Sequence, residues 1–124
     1  MDQRALMMFE KGMDKFVKSL KKSLQKHEHV SVSHQSMPQC LESLKVTDEE
    51  DNEHVLRLVV VGCTEKTLLA RLSWLDKMGK DHVCCYLNTK FEAVKRKHNG
   101  LWVKDKHEPA DMCLRVWTCL HSPI

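Results

Sequence analysis

Residues 1–26, MDQRALMMFEKGMDKFVKSLKKSLQK, carry the clearest structural signal in the chain. Apolar side chains recur there every three or four residues, the spacing that places them on one side of an α-helix. Arg4 and the lysines fall on the opposite side, and only Gly12 disfavours a helix, at a cost of about 1 kcal/mol. The pattern predicts one amphipathic helix with a basic face. Its apolar stripe comprises Leu6, Phe9, Met13, Phe16, Val17, Leu20 and Leu24.

A second informative stretch is His54–Cys63, HVLRLVVVGC, which is apolar on both faces of a strand. Such a run predicts a central strand that is covered on both sides. Thr64 is a suitable N-cap for a following helix over residues 65–78, which Gly79 would end. The buried stripe of that helix would comprise Leu68, Leu69, Leu72, Leu75 and Met78.

The first half of the chain adds weaker patterns. Val30 and Val32 alternate with serines, which favours a short edge strand or an extended linker. Residues 39–46 fit either a helical turn or a short strand, and the acidic run at 47–53 is expected to be an exposed loop.

In the second half, residues 82–87 predict another core strand. Residues 89–98 fit a short helix slightly better than a strand. The alternative is that Asn99-Gly100 forms a hairpin turn before residues 101–103. Apolar and other side chains alternate over residues 112–120, which indicates a last strand.

This order of elements predicts an α+β fold, a long N-terminal amphipathic helix followed by a small mixed or antiparallel sheet packed with one or two helices. We divide the chain into a basic helix at 1–26, a linker with a short strand and an acidic loop at 27–53, and a compact core at 54–124. A chain of 124 residues is the size of one domain, so these parts are expected to form a single unit.

Composition narrows the class of protein. The chain is 42% hydrophobic and 30% charged, as in ordinary globular proteins. The N-terminus lacks the apolar segment of a secretory signal, and the longest apolar run, Leu58–Cys63, is too short to span a membrane. We therefore expect a cytoplasmic or nuclear protein whose six cysteines are reduced.

No motif predicts a cofactor. Gly62 precedes Lys66-Thr67 at the end of a strand, but a phosphate-binding loop needs a second glycine where Glu65 stands, and one more intervening residue. The spacings of cysteine and histidine do not match paired zinc ligands. Cys84 and Cys85, as neighbours on a strand, are expected to face opposite sides. We expect neither a metal nor another cofactor.

Cys63 is the best candidate for a catalytic nucleophile. It would precede the N-terminus of the predicted helix at 65–78, where the helix dipole lowers a thiol pKa. A catalytic thiol also requires a histidine base, and none of the eight histidines is singled out by its spacing. We therefore predict a protein that is not an enzyme.

The remaining hypothesis is a protein-interaction or assembly module that associates with itself or a partner through the apolar stripe of residues 1–26. Membrane binding is disfavoured, because the helix has no tryptophan and contains Glu10 and Asp14. The alternative is a small RNA-binding protein that uses basic patches at 11–26 and 95–106. Its nucleic-acid contacts would be Lys95, Arg96, Lys97, Trp102 and Lys104.

Overall fold

The structure, a computed structural model, describes residues 3–63, 68–106 and 111–121. Within these residues the chain forms a helix, seven strands and a second helix. In chain order they are α1 (Gln3–Leu24), β1 (Ser31–His34), β2 (Glu42–Thr47), β3 (Glu53–Cys63), β4 (Leu68–Leu75), β5 (Asp81–Leu87), β6 (Ala93–Arg96), β7 (Trp102–Lys104) and α2 (Met112–Leu120).

The seven strands form one antiparallel sheet in which spatial order follows chain order, from β1 at one edge to β7 at the other. The predicted α+β class is confirmed, and of the two kinds of sheet considered, the chain has the antiparallel one. The sheet is larger than the small one that we predicted. Every strand is joined to its neighbour by a local connection, as in an extended series of hairpins.

Side chains alternate across this sheet, and one face carries the core. On this face Leu56 lies opposite Trp74 and Leu58 lies opposite Leu72. Both helices contribute to the same core, and the Trp74 indole N–H donates to the Val116 carbonyl of α2 at 3.0 Å. The core therefore draws on all three predicted segments of the chain.

Four of the hairpin turns share one five-residue geometry, at residues 48–52, 76–80, 88–92 and 97–101. In each, the first backbone N–H donates to the fifth carbonyl, and the fourth N–H donates to the first carbonyl. The fourth residue has a positive φ and is Asp51, Gly79, Phe91 or Gly100. This is the hairpin loop in which a left-handed residue follows a tight turn.

In three of these turns the first side chain secures the loop. Asp48, Asp76 and Asn88 each accept hydrogen bonds from the backbone N–H groups of the third and fifth turn residues, at 2.8–3.0 Å. Aspartate and asparagine are common at such positions because their short side chains reach the backbone of the loop. These turns fix the pairing register of the sheet.

The predicted helix over residues 65–78 is wrong. Residues 64–67, including the proposed N-cap Thr64, lie outside the described residues, and 68–75 form strand β4. The leucines of this stretch fit both a helical and a strand period. Ala70, Leu72 and Trp74, at every second position, also fit the strand period, and all three face the core. Hydrogen-bonded pairing with β3 and β5 makes this segment a strand instead of a helix.

The predicted strand over residues 112–120 is also wrong, because this segment is helix α2. Asp111 caps it, accepting hydrogen bonds from the backbone N–H groups of Cys113 at 2.9 Å and Leu114 at 3.4 Å. Asp is among the best N-cap residues, so the sequence contained a helix signal that alternation of side chains obscured.

The ambiguous segment 89–98 is not a helix, since it forms a turn and strand β6. Asn99-Gly100 belongs to the following hairpin turn, so the alternative prediction is confirmed. The short strand near Val32 is β1, at the edge of the sheet as expected. Residues 42–47 form a strand, and the acidic loop is the turn at 48–52.

The ring of Phe91 docks α1 onto the sheet. It stacks on Phe16 at 4.8 Å between ring centroids and meets Phe9 edge-on at 5.7 Å. A Cβ atom at Gly12 would lie 3.1 Å from the Phe91 ring, so the glycine provides the space that this contact needs. Phe91 itself adopts a φ of 59°, a conformation that costs a bulky residue roughly 1–2 kcal/mol.

We predict that Phe91→Gly destabilises the protein less than Phe91→Ala, by about 1 kcal/mol. Both variants lose the aromatic contacts, but glycine adopts a positive φ without strain whereas alanine does not. The measurement is the free energy of unfolding in urea. At Glu92, which does not have a positive φ, the order should reverse, with glycine the more destabilising of the two. An equal loss at Phe91 for both substitutions would contradict the proposed strain.

Candidate interaction surfaces

The apolar stripe predicted as an interface lies within the chain's own core. Phe9, Val17, Leu20 and Leu24 are buried there, and Leu6, Met13 and Phe16 are partly buried against it. Self-association through this stripe would require α1 to leave the sheet. The surface of α1 that a partner can reach consists of its basic face and of Met7 and Met8, which are exposed at 69% and 54%.

That basic face borders an open groove of about 370 Å³ next to strand β1. One of its lysines, Lys18, pairs with Asp14 at 3.0 Å within the helix. The groove is lined by Lys18, Lys21, Lys22, Gln25, Lys26 and His34. A row of lysines beside an edge strand also discourages pairing with another strand, because it places charge along the free edge.

A second candidate surface is the face of the sheet opposite the helices, which we call the open face. Since Leu56 and Trp74 point into the core, their neighbours along β3 and β4 point to the open face. It carries aliphatic side chains at half-buried or exposed positions, with Val61 exposed at 38% and Val83 at 42%. Its apolar members in β3, β4 and β5 are Val55, Val59, Val61, Leu69, Leu75 and Val83, of which Leu69 is buried.

This arrangement corrects the expectation that β3 is covered on both sides. Both described helices pack on the core face, and the second face of β3 bears Val55, Val59 and the exposed Val61. Continuous apolar runs indicate burial on both faces in parallel sheets, whereas antiparallel sheets commonly leave one face open. The valines on this second face thus form a surface in the isolated chain.

A charged cluster lies in the middle of the open face. Asp81 accepts a hydrogen bond from the Arg57 guanidinium at 2.7 Å and from the Ser73 hydroxyl at 2.8 Å, and it pairs with Arg71 at 3.0 Å. Burial alone would raise the pKa of Asp81, but these hydrogen bonds and the two positive charges outweigh it and hold the pKa below its ordinary value. The sequence offered no spacing that would identify this cluster, because its members come from three strands.

The predicted nucleic-acid contacts divide between the two faces. Register places Arg96 opposite Trp102, and the Trp102 ring lies 5.0 Å from that of Tyr86 on the open face. Lys104 shares that face and pairs with Glu92 at 2.8 Å.

The other two predicted contacts lie elsewhere. Lys95 points to the helix side, where its Nζ is 3.8 Å from Asp105, and Lys97 lies in the turn at 97–101. Three of the five predicted contacts, Arg96, Trp102 and Lys104, therefore lie on the open face, where the structure also places Tyr86.

Two histidines are each paired with an aspartate of a turn. His54 lies 2.8 Å from Asp48, and His82 lies 2.7 Å from Asp76. In each case the hydrogen bond to the histidine is the main cause that lowers the pKa of the aspartate. Both aspartates also secure their turns, so these pairs have a structural role at the ends of neighbouring hairpins.

The structure removes the argument for Cys63 as a nucleophile. This residue ends β3, and residues 68–75, the greater part of the helix predicted at 65–78, form strand β4, so the argument that a helix dipole activates the thiol no longer holds. Among residues 3–63, 68–106 and 111–121, no group of three or more His, Cys, Asp or Glu side chains could hold a metal ion.

No family model, curated protein or solved structure matches this chain. No helix within the described part of the chain is long and apolar enough to cross a membrane.

We predict that Asp81→Asn lowers the free energy of unfolding by about 2 kcal/mol near pH 7, because Arg57 and Arg71 lose their shared counter-ion. The folded pKa of Asp81 is lowered, so its stabilisation is present above the unfolded carboxyl pKa of about 4 and is lost as pH falls through the folded value. The difference between wild type and variant should therefore shrink towards pH 3 or below.

Urea unfolding at a series of pH values measures this effect. Asp14→Asn is the matched control, since it removes the same charge from an exposed ion pair with Lys18 and should cost at most about 0.5 kcal/mol. A pH-independent loss in Asp81→Asn would contradict the electrostatic origin of the effect.

Proposed function

We propose that the protein is a non-catalytic interaction and assembly module that associates with a second copy through the open face of its sheet. The observation that carries this proposal is the apolar surface on that face, formed by Val55, Val59 and Val61 along β3 and by Val83 on β5, with Val61 and Val83 exposed at 38% and 42%. Exposed apolar surface on a sheet face that no helix covers is a feature of interaction sites.

The electrostatics of the open face support a protein as the occupant. Arg57 and Arg71 both pair with Asp81, so the centre of the face attracts a polyanion less strongly than two unpaired arginines would. Aliphatic side chains flank this cluster along β3 and β4. Such a face packs favourably on another apolar sheet face.

The area of the open face is on the scale of a dimer interface. With about 3.3 Å per residue and about 4.8 Å between strands, the described strands present a projected area of about 700 Å². Standard interfaces bury about 800 Å² per partner. Two copies packed face to face would form a two-layered sandwich with their helices on the outside.

We expect Val83→Glu to convert a dimeric chain into a monomer, because it replaces an apolar contact by a second carboxylate beside Asp81 within the interface. The measurement is molar mass by light scattering over a range of protein concentrations. Val83 is exposed in the single chain, so the substitution should leave the fold and its unfolding free energy nearly unchanged.

Leu114→Glu is the matched control. Leu114 lies on α2 and is exposed at 51%, so the same kind of change is made on the other side of the molecule. This variant should remain dimeric. A wild-type chain that is monomeric at all concentrations, or a Val83→Glu variant that stays dimeric, would contradict the proposal.

A second candidate function is binding of single-stranded RNA at the β5–β7 end of the open face. Tyr86 and Trp102 lie together there, with Arg96 and Lys104 on the same side. Aromatic rings beside cationic side chains allow bases to stack while phosphates are neutralised. This candidate competes with the first, because both use the open face.

Adjacent residues on opposite sides of β6 test this candidate. We expect Arg96→Glu to weaken RNA binding about tenfold or more, while Lys95→Glu, on the helix side, has little effect. Fluorescence anisotropy with a labelled single-stranded oligonucleotide measures both affinities, at two salt concentrations. Equal loss in both variants, or no measurable binding by the wild type at low salt, would exclude this site.

A further inference from the structure

Two thiols meet where strand β5 faces helix α2. The Sγ atom of Cys119 lies 3.7 Å from the Val83 carbonyl oxygen and 3.9 Å from that of His82, the two residues that precede Cys84. This places the Cys119 thiol beside Cys84, and each of the two thiols is the strongest influence on the pKa of the other. Both residues are half-buried.

A β-bulge produces this contact. Leu72 of β4 pairs with Cys85 and Ser73 pairs with Val83, which leaves Cys84 as the extra residue of β5. Bulges re-aim side chains. Cys85 contacts Met112 of α2 at 3.6 Å between sulfur atoms, so both cysteines contact α2. Our expectation that Cys84 and Cys85 face opposite sides is therefore wrong, because strict alternation fails at the bulge.

The surroundings distinguish the two sulfur atoms. The hydrogen bond from Cys84 stabilises the Cys119 thiolate and, with the nearby His82, outweighs burial and lowers the pKa of Cys119 to about 7. The same hydrogen bond and burial raise the pKa of Cys84. His82 is held in place by Asp76 at 2.7 Å. The lowered pKa favours Cys119 as the nucleophile of the pair.

Cys40, Cys85 and Cys113 lack these features. Burial raises the pKa of Cys40 and of Cys113, and Cys85 is buried against Met112. Thiolates, rather than thiols, react with peroxides and alkylating agents, so these residues are expected to react slowly.

We propose that Cys84 and Cys119 form a peroxide modification site in which Cys119 is oxidised first and Cys84 then closes a disulfide. This inference does not depend on the proposed assembly through the open face. In the first step the Cys119 thiolate attacks hydrogen peroxide. An S–O bond forms and the O–O bond breaks, giving a sulfenic acid and a hydroxide that takes a proton to become water.

In the second step the sulfur of Cys84 attacks the sulfenic sulfur of Cys119. An S–S bond forms and the S–O bond breaks, and the departing hydroxide leaves as water with the proton of the Cys84 thiol. Two thiols and one peroxide thus give one disulfide and two waters. The product joins β5 covalently to α2.

The test treats the reduced full-length wild-type chain with hydrogen peroxide, blocks the remaining thiols, and maps the peptides by mass spectrometry. We expect a Cys84–Cys119 crosslink as the main product, with the loss of two hydrogens from the intact mass. In Cys84→Ser, the sulfenic acid on Cys119 should persist long enough to be captured by dimedone. Cys40→Ser is the matched control and should form the crosslink as the wild type does.

Alkylation without peroxide provides a second measurement that needs no variant. Near pH 7, about half of a thiol with a pKa of about 7 is thiolate, against about 1% for one with a pKa of 9. Iodoacetamide should therefore label Cys119 at least about tenfold faster than Cys40 or Cys113. Equal labelling of the described cysteines, or a peroxide product dominated by other pairs, would overturn the proposal.

Discussion

The contact between the Phe91 ring and α1 at Gly12 is the interaction on which the rest of the fold depends. It brings the N-terminal helix onto a sheet whose own contacts are local, and so completes the core. This contact requires two locally unfavourable features, a glycine inside a helix and a phenylalanine with a positive φ. Local strain of this kind persists only where surrounding contacts fix it. Here the packing of three aromatic rings supplies those contacts.

This docking also determines which surfaces remain for function. Because α1 and α2 occupy one face of the sheet, the valines and the Asp81 cluster on the other face are left uncovered in the single chain. Asp81 partly neutralises the two arginines at the centre of that face, where one net positive charge remains. The apolar stripe of the helix that we predicted as an interface is thus buried, whereas one face of the strand that we predicted to be covered on both sides is uncovered.

The sequence correctly predicted those elements whose pattern of apolar residues fits only one type of secondary structure. The helix at residues 3–24 was found because its apolar positions fit the helical period, and the strand at 53–63 was found because it is a short apolar run with a glycine near its end. Residues 68–75 and 112–120 fit two periods, and there the deciding contacts are distant in sequence. The cap at Asp111 was a usable signal, whereas the Asp81 cluster and the bulge at Cys84 arise only when strands pair.

The strand order β1 to β7 has a consequence for the chain during synthesis. Each hairpin can form as soon as its two strands have been made, because its contacts are close in sequence. Helix α1 cannot dock then, since Phe91 follows it by more than sixty residues. At roughly 5–20 residues per second, the ribosome needs several seconds to cover that distance. During that interval the apolar stripe of α1 is uncovered on the nascent chain. We expect this stripe to be the segment that chaperones bind.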